Sequence, residues 1–309
     1  MTDALLLAGG GFKTVGYLGV LEARWAELRR TLRCLCGVSA GAVLALLLAV
    51  GYDPAELQAR VHATAWAPLL HRIFCPAQLW AAGAPCSVRP LRQLLQAWLH
   101  DKGVPADATF AWLARQGAPG FACVVACVDT GELLLLDAAR APRCSLVRAV
   151  LASAAVPFAF PPVRVAGRRC VDAGLVNNAP ASLLRRAWPQ CRQMLVLTPS
   201  GLCGAPAHPW AALLWHRTNF VTHAELLRCR ALAAVVLELP PAPADVHIFS
   251  PGASVSALLR QGRVTALCHE RRAAVAGLAV LAVARLGRPP RRGAPGKDGG
   301  AAPRALPRR

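Results

Sequence analysis

No apolar run in this chain of 309 residues is long enough to cross a bilayer. Its most membrane-like stretches, Ala40 to Val50 and Ala273 to Ala284, fall well short of the roughly 20 residues that a spanning helix needs. A secretory signal is missing too. No basic residue precedes the apolar run Ala4 to Ala8, and that run is shorter than the roughly 7 to 15 residues of such a signal. The expectation is an intracellular, cytoplasmic protein with peripheral membrane contact and no transmembrane helix. The 12 cysteines form no C-x-x-C and no Cys/His pair with the spacing of a zinc site, so they are expected as buried free thiols, with no disulfide framework, metal or other cofactor. Acidic residues are scarce, 16 against 35 Lys and Arg, for a net charge of +19. Residues Arg285 to Arg309 carry eight basic side chains and one aspartate, a net +7, which leaves +12 on the rest. Such a balance favours anionic partners, a lipid surface or nucleic acid. No aromatic-basic sheet motif or zinc module speaks for nucleic acid. The bland alternative is a solvated surface rich in arginine.

What is present is an alternation of short apolar runs with longer amphipathic ones. Leu5 to Ala8, Leu35 to Val38, Phe121 to Val128, Leu133 to Leu136, Met194 to Leu197 and Val235 to Leu239 read as buried strands. Helical spacing fills the gaps over Val15 to Arg30, Ala40 to Val50, Pro54 to Trp66, Val88 to Leu99, Leu146 to Ala155, Trp210 to Arg230 and Val264 to Leu286. This order predicts an α/β fold, a mostly parallel central sheet flanked by helices on both faces. No internal repeat or linker divides the core, so residues 1–285 are expected to form one domain. The remaining Pro-, Gly- and Arg-rich tail, 286–309, is expected to be disordered.

Three stretches carry chemistry. In "CLCGVSAGAVLALL" Ser39 stands between a strand and a helix, flanked two residues either side by Gly37 and Gly41. A nucleophile elbow needs small residues at those places, because strand and helix approach closely around the turn. The helix N-terminus then favours developing negative charge. In "LLLAGGGFKTVGYLGVL" Gly9, Gly10 and Gly11 follow a strand and precede a helix. Phe12 stands where a Walker loop needs glycine before Lys13 and Thr14, and Thr14 stands where a dinucleotide loop needs its third glycine. An oxyanion hole has neither requirement, needing only unobstructed backbone donors; a plain tight βα turn is the other reading. In "VDAGLVNNAP" Asp172 follows a short strand, Arg169 to Val171, with Ala173 and Gly174 giving a tight turn behind it, and either caps its own backbone or serves as base to Ser39.

Together the three stretches resemble the patatin-like phospholipase family. Its glycine-rich loop with a basic residue is met by Gly9-Gly10-Gly11-Phe12-Lys13, its G-x-S-x-G by Gly37 to Gly41, and its Asp-Gly-Gly or Asp-Gly-Ala by Asp172-Ala173-Gly174, with alanine in place of the usual first glycine. "SAAVP", Ser153 to Pro157, also resembles a segment that the family has between its second and third motifs. The resemblance covers about the first 200 residues. It implies a three-layer α/β/α fold and a calcium-independent serine acyl-ester hydrolase of membrane lipids. Ser39 would be the nucleophile, Asp172 the base and Gly9, Gly10 and Gly11 the oxyanion hole, with Lys13, Gly37, Gly41 and Gly174 in support. Burial should raise the pKa of such a carboxylate, which is otherwise a weak base.

Alternatives at this stage are a Ser-Asp-His triad using His208, His216, His223, His247 or His269, a triacylglycerol or other ester lipase, and a catalytically silent lipid-binding or scaffold protein on the same fold. The substrate class is phospholipid or another acyl-ester lipid, reached through an anionic membrane surface. The segment Trp66 to Trp98, with Trp66, Leu69, Leu70, Ile73, Phe74, Leu79 and Trp80 and few acids, reads as a lid or membrane-facing cap, or else as ordinary core.

Overall fold

Alternate residues of each central strand face opposite sides of a sheet, and here both sides are apolar, so both must be covered. In the computed structural model, which describes residues 2–77, 79, 83–199, 217–218, 220–228, 234–240 and 255–286, this is what the chain does. Strands β1 (Ala4–Leu7), β2 (Cys34–Val38), β3 (Gly120–Cys127), β4 (Leu133–Leu136), β5 (Val163–Val165), β6 (Arg168–Asp172), β7 (Met194–Pro199) and β8 (Val235–Leu239) form one sheet, with path β5-β6-β3-β2-β1-β7-β8 and β4 paired to β3. The five strands from β3 to β8 along that path are parallel. The expected parallel sheet thus carries an antiparallel edge, because β4 follows β3 and β6 follows β5 through direct turns without a helical crossover, and β6 pairs antiparallel with β3.

Leu5, Leu7, Leu35, Cys123, Val125 and Leu195 point to one face and pack with the helices α1 (Val15–Thr31), α2 (Ala40–Ala49), α3 (Pro54–Ala63), α5 (Arg89–His100) and α7 (Leu146–Ser153). Their neighbours Ala4, Leu6, Cys34, Cys36, Val124 and Val196 point to the other face, against α8 (Ala181–Ala187), Trp188 and Leu226. Two shorter helices, α4 (Trp66–Ile73) and α6 (Phe110–Arg115), and the long α9 (Val255–Leu286) complete the order. The helix predicted over Pro54 to Trp66 divides, since the Pro68 ring in an unbroken helix would meet the Thr64 carbonyl. Thr64 ends α3, and the Trp66 indole N–H donates back to the Val61 carbonyl at 2.8 Å. Asp53 and Glu56 form a reciprocal capping box at the start of α3, where Pro54 fills the first helical position.

The chain separates into two compact units, Met1–His269 and Glu270–Arg309. Within the first, glycines bring α1 and the start of α9 together: a Cβ on Gly262 would overlap the Gly16 carbonyl oxygen, and one on Gly19 the Leu259 carbonyl oxygen. Arg263 adds an ion pair to Glu22 at 2.7 Å. The expected tail beyond Leu286 lies outside the described residues, as does the start of the helix predicted from Trp210; residues 217–228 are helical where described. No helix among the described residues is long and apolar enough to cross a membrane.

Candidate active site

β2, flanked by β1 and β3, delivers Ser39 into the first turn of α2. Ser39 adopts φ 56°, ψ −130°, a region a side-chain-bearing residue occupies only at a cost of about 1–3 kcal/mol. Close packing fixes that backbone. A Cβ on Gly37 would strike Gly41 and Ala42, and one on Gly41 would strike the Leu7 and Ala8 carbonyls of β1. The α2 sequence AGAVLALLLA is apolar on every side and buried except at the half-buried Ala40 and Val43, which anchors the elbow in the core. No side chain caps its N-terminus.

The Asp172 carboxylate accepts the Gly174 N–H at 2.7 Å and faces the Ser39 hydroxyl. Burial pushes its pKa up from the ordinary 3.8 to about 6, while the Ser39 hydroxyl and the Gly174 N–H pull the other way. Serine and carboxylate are therefore neighbours. Of the histidines weighed for a triad, His223 is exposed and His269 half-buried, while His208, His216 and His247 lie outside the described residues.

One short segment grips both partners. The Ser153 hydroxyl, fully buried at the end of α7, accepts the Ser39 N–H at 3.0 Å and donates to the Val124 carbonyl at 2.7 Å. Two residues on, the Ala155 carbonyl accepts the Asp172 N–H at 2.9 Å. The "SAAVP" stretch thus clamps the backbone of nucleophile and carboxylate at once. Sequence reading noticed the stretch but not its hydroxyl, although a lone serine closing the apolar helix LVRAVLAS is a visible signal.

The three loop glycines divide their work. A Cβ on Gly9 would come within 2.9 Å of Ser39 Cβ and closer still to Asn178 Oδ1, so Gly9 sits directly behind the serine. Gly10 faces the Pro199 ring. Gly11, at φ 55°, takes the left-handed conformation that glycine tolerates and lines the cavity in front of Ser39. Asn178 Nδ2 donates to the Gly9 carbonyl at 2.9 Å, and the buried Tyr17 hydroxyl donates to the Ala8 carbonyl at 3.1 Å, so the start of the loop is pinned by two partners. Lys13 is buried in the 3₁₀ turn Gly11–Thr14, off the cavity wall.

That cavity, of about 200 Å³, is apolar apart from its end at Ser39 and Thr14. Its far walls are Leu44 and Leu47 of α2, Leu70 of α4, Leu94 and Trp98 of α5, and Phe160. The cap segment is therefore half wall and half surface: Leu69 and Ile73 are buried, while Phe74 and Leu79 stand in water. Trp80 lies outside the described residues. Phe12, next to the glycine loop, meets Trp66 edge to face at 4.6 Å and ties α4 to the site. Among the described residues no three His, Cys, Asp or Glu side chains gather as a metal site.

The family model for patatin-like phospholipases matches residues 5–185, more than half of the chain. The chain belongs to the patatin-like phospholipase family. No curated protein matches it. Among solved structures it resembles VipD from Legionella pneumophila, with 18% identity, a TM-score of 0.50, and coverage of 86% of this chain and 66% of VipD. It also resembles full-length ExoU of the Pseudomonas aeruginosa type III secretion system, solved in complex with SpcU, with 20% identity, a TM-score of 0.52, and coverage of 88% of this chain and 52% of ExoU. The chain thus spans about two thirds of VipD and about half of ExoU, and at these identities the likeness is one of fold. The patatin-like three-layer architecture expected from the motifs is the one observed. Ala173, where the family more often has glycine, is fully buried beside Asp172 and leaves the Gly174 hydrogen bond intact.

Proposed function

We propose that this protein is a metal-independent serine hydrolase of acyl-ester lipids, of phospholipase A type, working through Ser39 and Asp172. The observation that carries the reading is a strained, buried serine whose hydroxyl faces a carboxylate with a pKa near 6, at the end of an apolar cavity. A carboxylate of pKa 3.8 would take a proton poorly; near 6 it is still ionised at neutral pH and is a stronger base. Ser39 Oγ attacks the ester carbonyl and passes its proton to Asp172, while the acyl chain lies in the cavity. The Ser39 N–H is held by Ser153, so donors to the oxyanion come from the Gly9–Gly11 loop and the uncapped first turn of α2. The carbonyl re-forms as the alcohol leaves with the proton from Asp172, and water, deprotonated by the same carboxylate, then releases the fatty acid. The +19 charge supports an anionic membrane as the place where substrate is met.

The test is fatty-acid release from mixed phospholipid vesicles in EDTA, comparing the native chain with Ser39→Ala. Release that survives the chelator and disappears in the variant supports the reading. A folded native chain that releases nothing from these vesicles or from triacylglycerol emulsion overturns it in favour of a silent lipid-binding protein.

A further inference from the structure

Two phenylalanines are held in water next to residues that line the cavity. Phe158 is 80% exposed and has φ 68°, a conformation that a bulky side chain adopts only under strain. Its turn is closed on itself, since the N–H groups of Ala159 and Phe160 both donate to the Val156 carbonyl, at 3.2 and 2.9 Å. Val156 and Phe160 line the cavity, and Phe158 between them points away from it at the tip. Phe74, 58% exposed, directly follows the cavity residue Ile73. The two are stitched together: Phe74 pairs with Cys86, and the Cys86 N–H donates to the Ala159 carbonyl at 2.9 Å. Leu79, 52% exposed, lies in the connection between Phe74 and Cys86. Nothing within the described chain offsets the exposure of these rings.

The charge around them has one sign. From Leu57 to His100 there is no aspartate or glutamate. Arg72, Arg89 and Arg92 are exposed in this stretch, and none pairs with a carboxylate among the described residues. Arg72 donates to the Gln93 side chain at 2.6 Å, which places it over the face of α5 that also carries Arg89 one turn earlier. A second copy of this chain would bring like charges together at this surface, whereas an anionic bilayer offers phosphate to the arginines and hydrocarbon to the rings.

We propose that Phe74 and Phe158, backed by Arg72, Arg89 and Arg92, seat the protein on an anionic lipid bilayer with the cavity mouth facing the acyl chains. This rests on the lipid reading of the site.

The experiment measures flotation of the full chain carrying Ser39→Ala, so that lipid is not consumed, on vesicles of phosphatidylcholine alone or mixed with phosphatidylserine. Anionic vesicles should bind at least tenfold more protein at low salt, with the gap narrowing as salt rises. Phe74→Ser with Phe158→Gly should lower partition on both vesicle types by about tenfold or more. The combined Arg72→Gln, Arg89→Gln and Arg92→Gln variant should lose only the anionic preference. Phe158→Gly relieves the positive φ, so its Tm should be unchanged or higher, which separates lost binding from lost fold. With Ser39 intact, the phenylalanine variants should turn over a soluble short-chain ester at the native rate. Unchanged vesicle binding by the double phenylalanine variant, equal binding to neutral and anionic vesicles, or a dimer that the variant dissociates without affecting flotation would each overturn the proposal. If vesicle binding depends on the two rings yet the native chain hydrolyses no ester, the hydrolase reading fails and the docking surface stands.

Discussion

The two walls of the candidate site are built by opposite rules. Around Ser39 and Asp172 the residues are small, the backbone is strained and the N–H groups of both residues have assigned partners; Gly9, Gly37 and Gly41 leave no room for even a methyl group. Across the cavity, α2, α4 and α5 present leucines and tryptophans whose cavity-facing surface is apolar. The first wall fixes positions to fractions of an ångström, and the second fixes only a volume. Substitutions should therefore be felt as chemistry or folding on one side and as substrate fit on the other.

The sharpest break in that contrast is Asp172→Asn. It should lower kcat on a soluble ester by roughly three orders of magnitude or more and yet stabilise the fold. Burial holds the Asp172 proton more tightly in the folded protein than in the unfolded chain, so the stability linked to this group is full below pH about 4 and is lost as pH rises through about 6. Asparagine removes that loss. At pH 8 the variant should be more stable by about 2–3 kcal/mol, the gap closing towards pH 4, as measured by urea unfolding across the range. In the native chain kcat/KM should rise through pH 6 and level off above it; a flat profile from pH 5 to 8 would count against Asp172 as the base.

Gly41→Ala tests the same wall through the fold. The added methyl would press on the backbone of β1, and a loss of several kcal/mol is expected, seen as a large fall in Tm. Leu94→Ala on the opposite wall opens only a cavity already present and should cost less. Next in size is Ser153→Ala, which leaves the Ser39 N–H buried without a partner, at about 1–3 kcal/mol. If that strain falls on the elbow, kcat should drop about 10- to 100-fold with KM nearly unchanged, and Ser153→Thr should recover part of it. The smallest effect is expected from Leu47→Phe. Filling the far end of the cavity should shift preference towards shorter acyl chains by about tenfold, leaving hydrolysis of a two-carbon ester alone; an unchanged chain-length profile would mean that acyl chains lie elsewhere.

The sequence showed most of this where a single physical need dictates residue type. Apolar runs gave β1, β2, β3, β7 and β8 within a residue or two, because strands buried on both faces must be continuous. Glycines at the elbow were readable because nothing else fits there. What was not readable depends on partners distant in the chain. β5 is a three-residue half-exposed strand without an apolar signature, and Ser153 gains meaning only when 114 residues of separation close onto Ser39. The helix expected from Val264 begins at Val255. Gly262 looks like an interruption in sequence, and in space it is what lets the helix touch α1.

The sheet order also bears on where a working fragment of this chain can end. The family match stops at residue 185, but β1, which runs into the glycine loop, has β2 on one side and β7, starting at Met194, on the other. A fragment cut at the motif boundary would leave β1 as a naked, wholly apolar edge, inviting pairing with other chains. The recognisable motifs and the unit able to stay in solution are therefore different lengths of the same polypeptide.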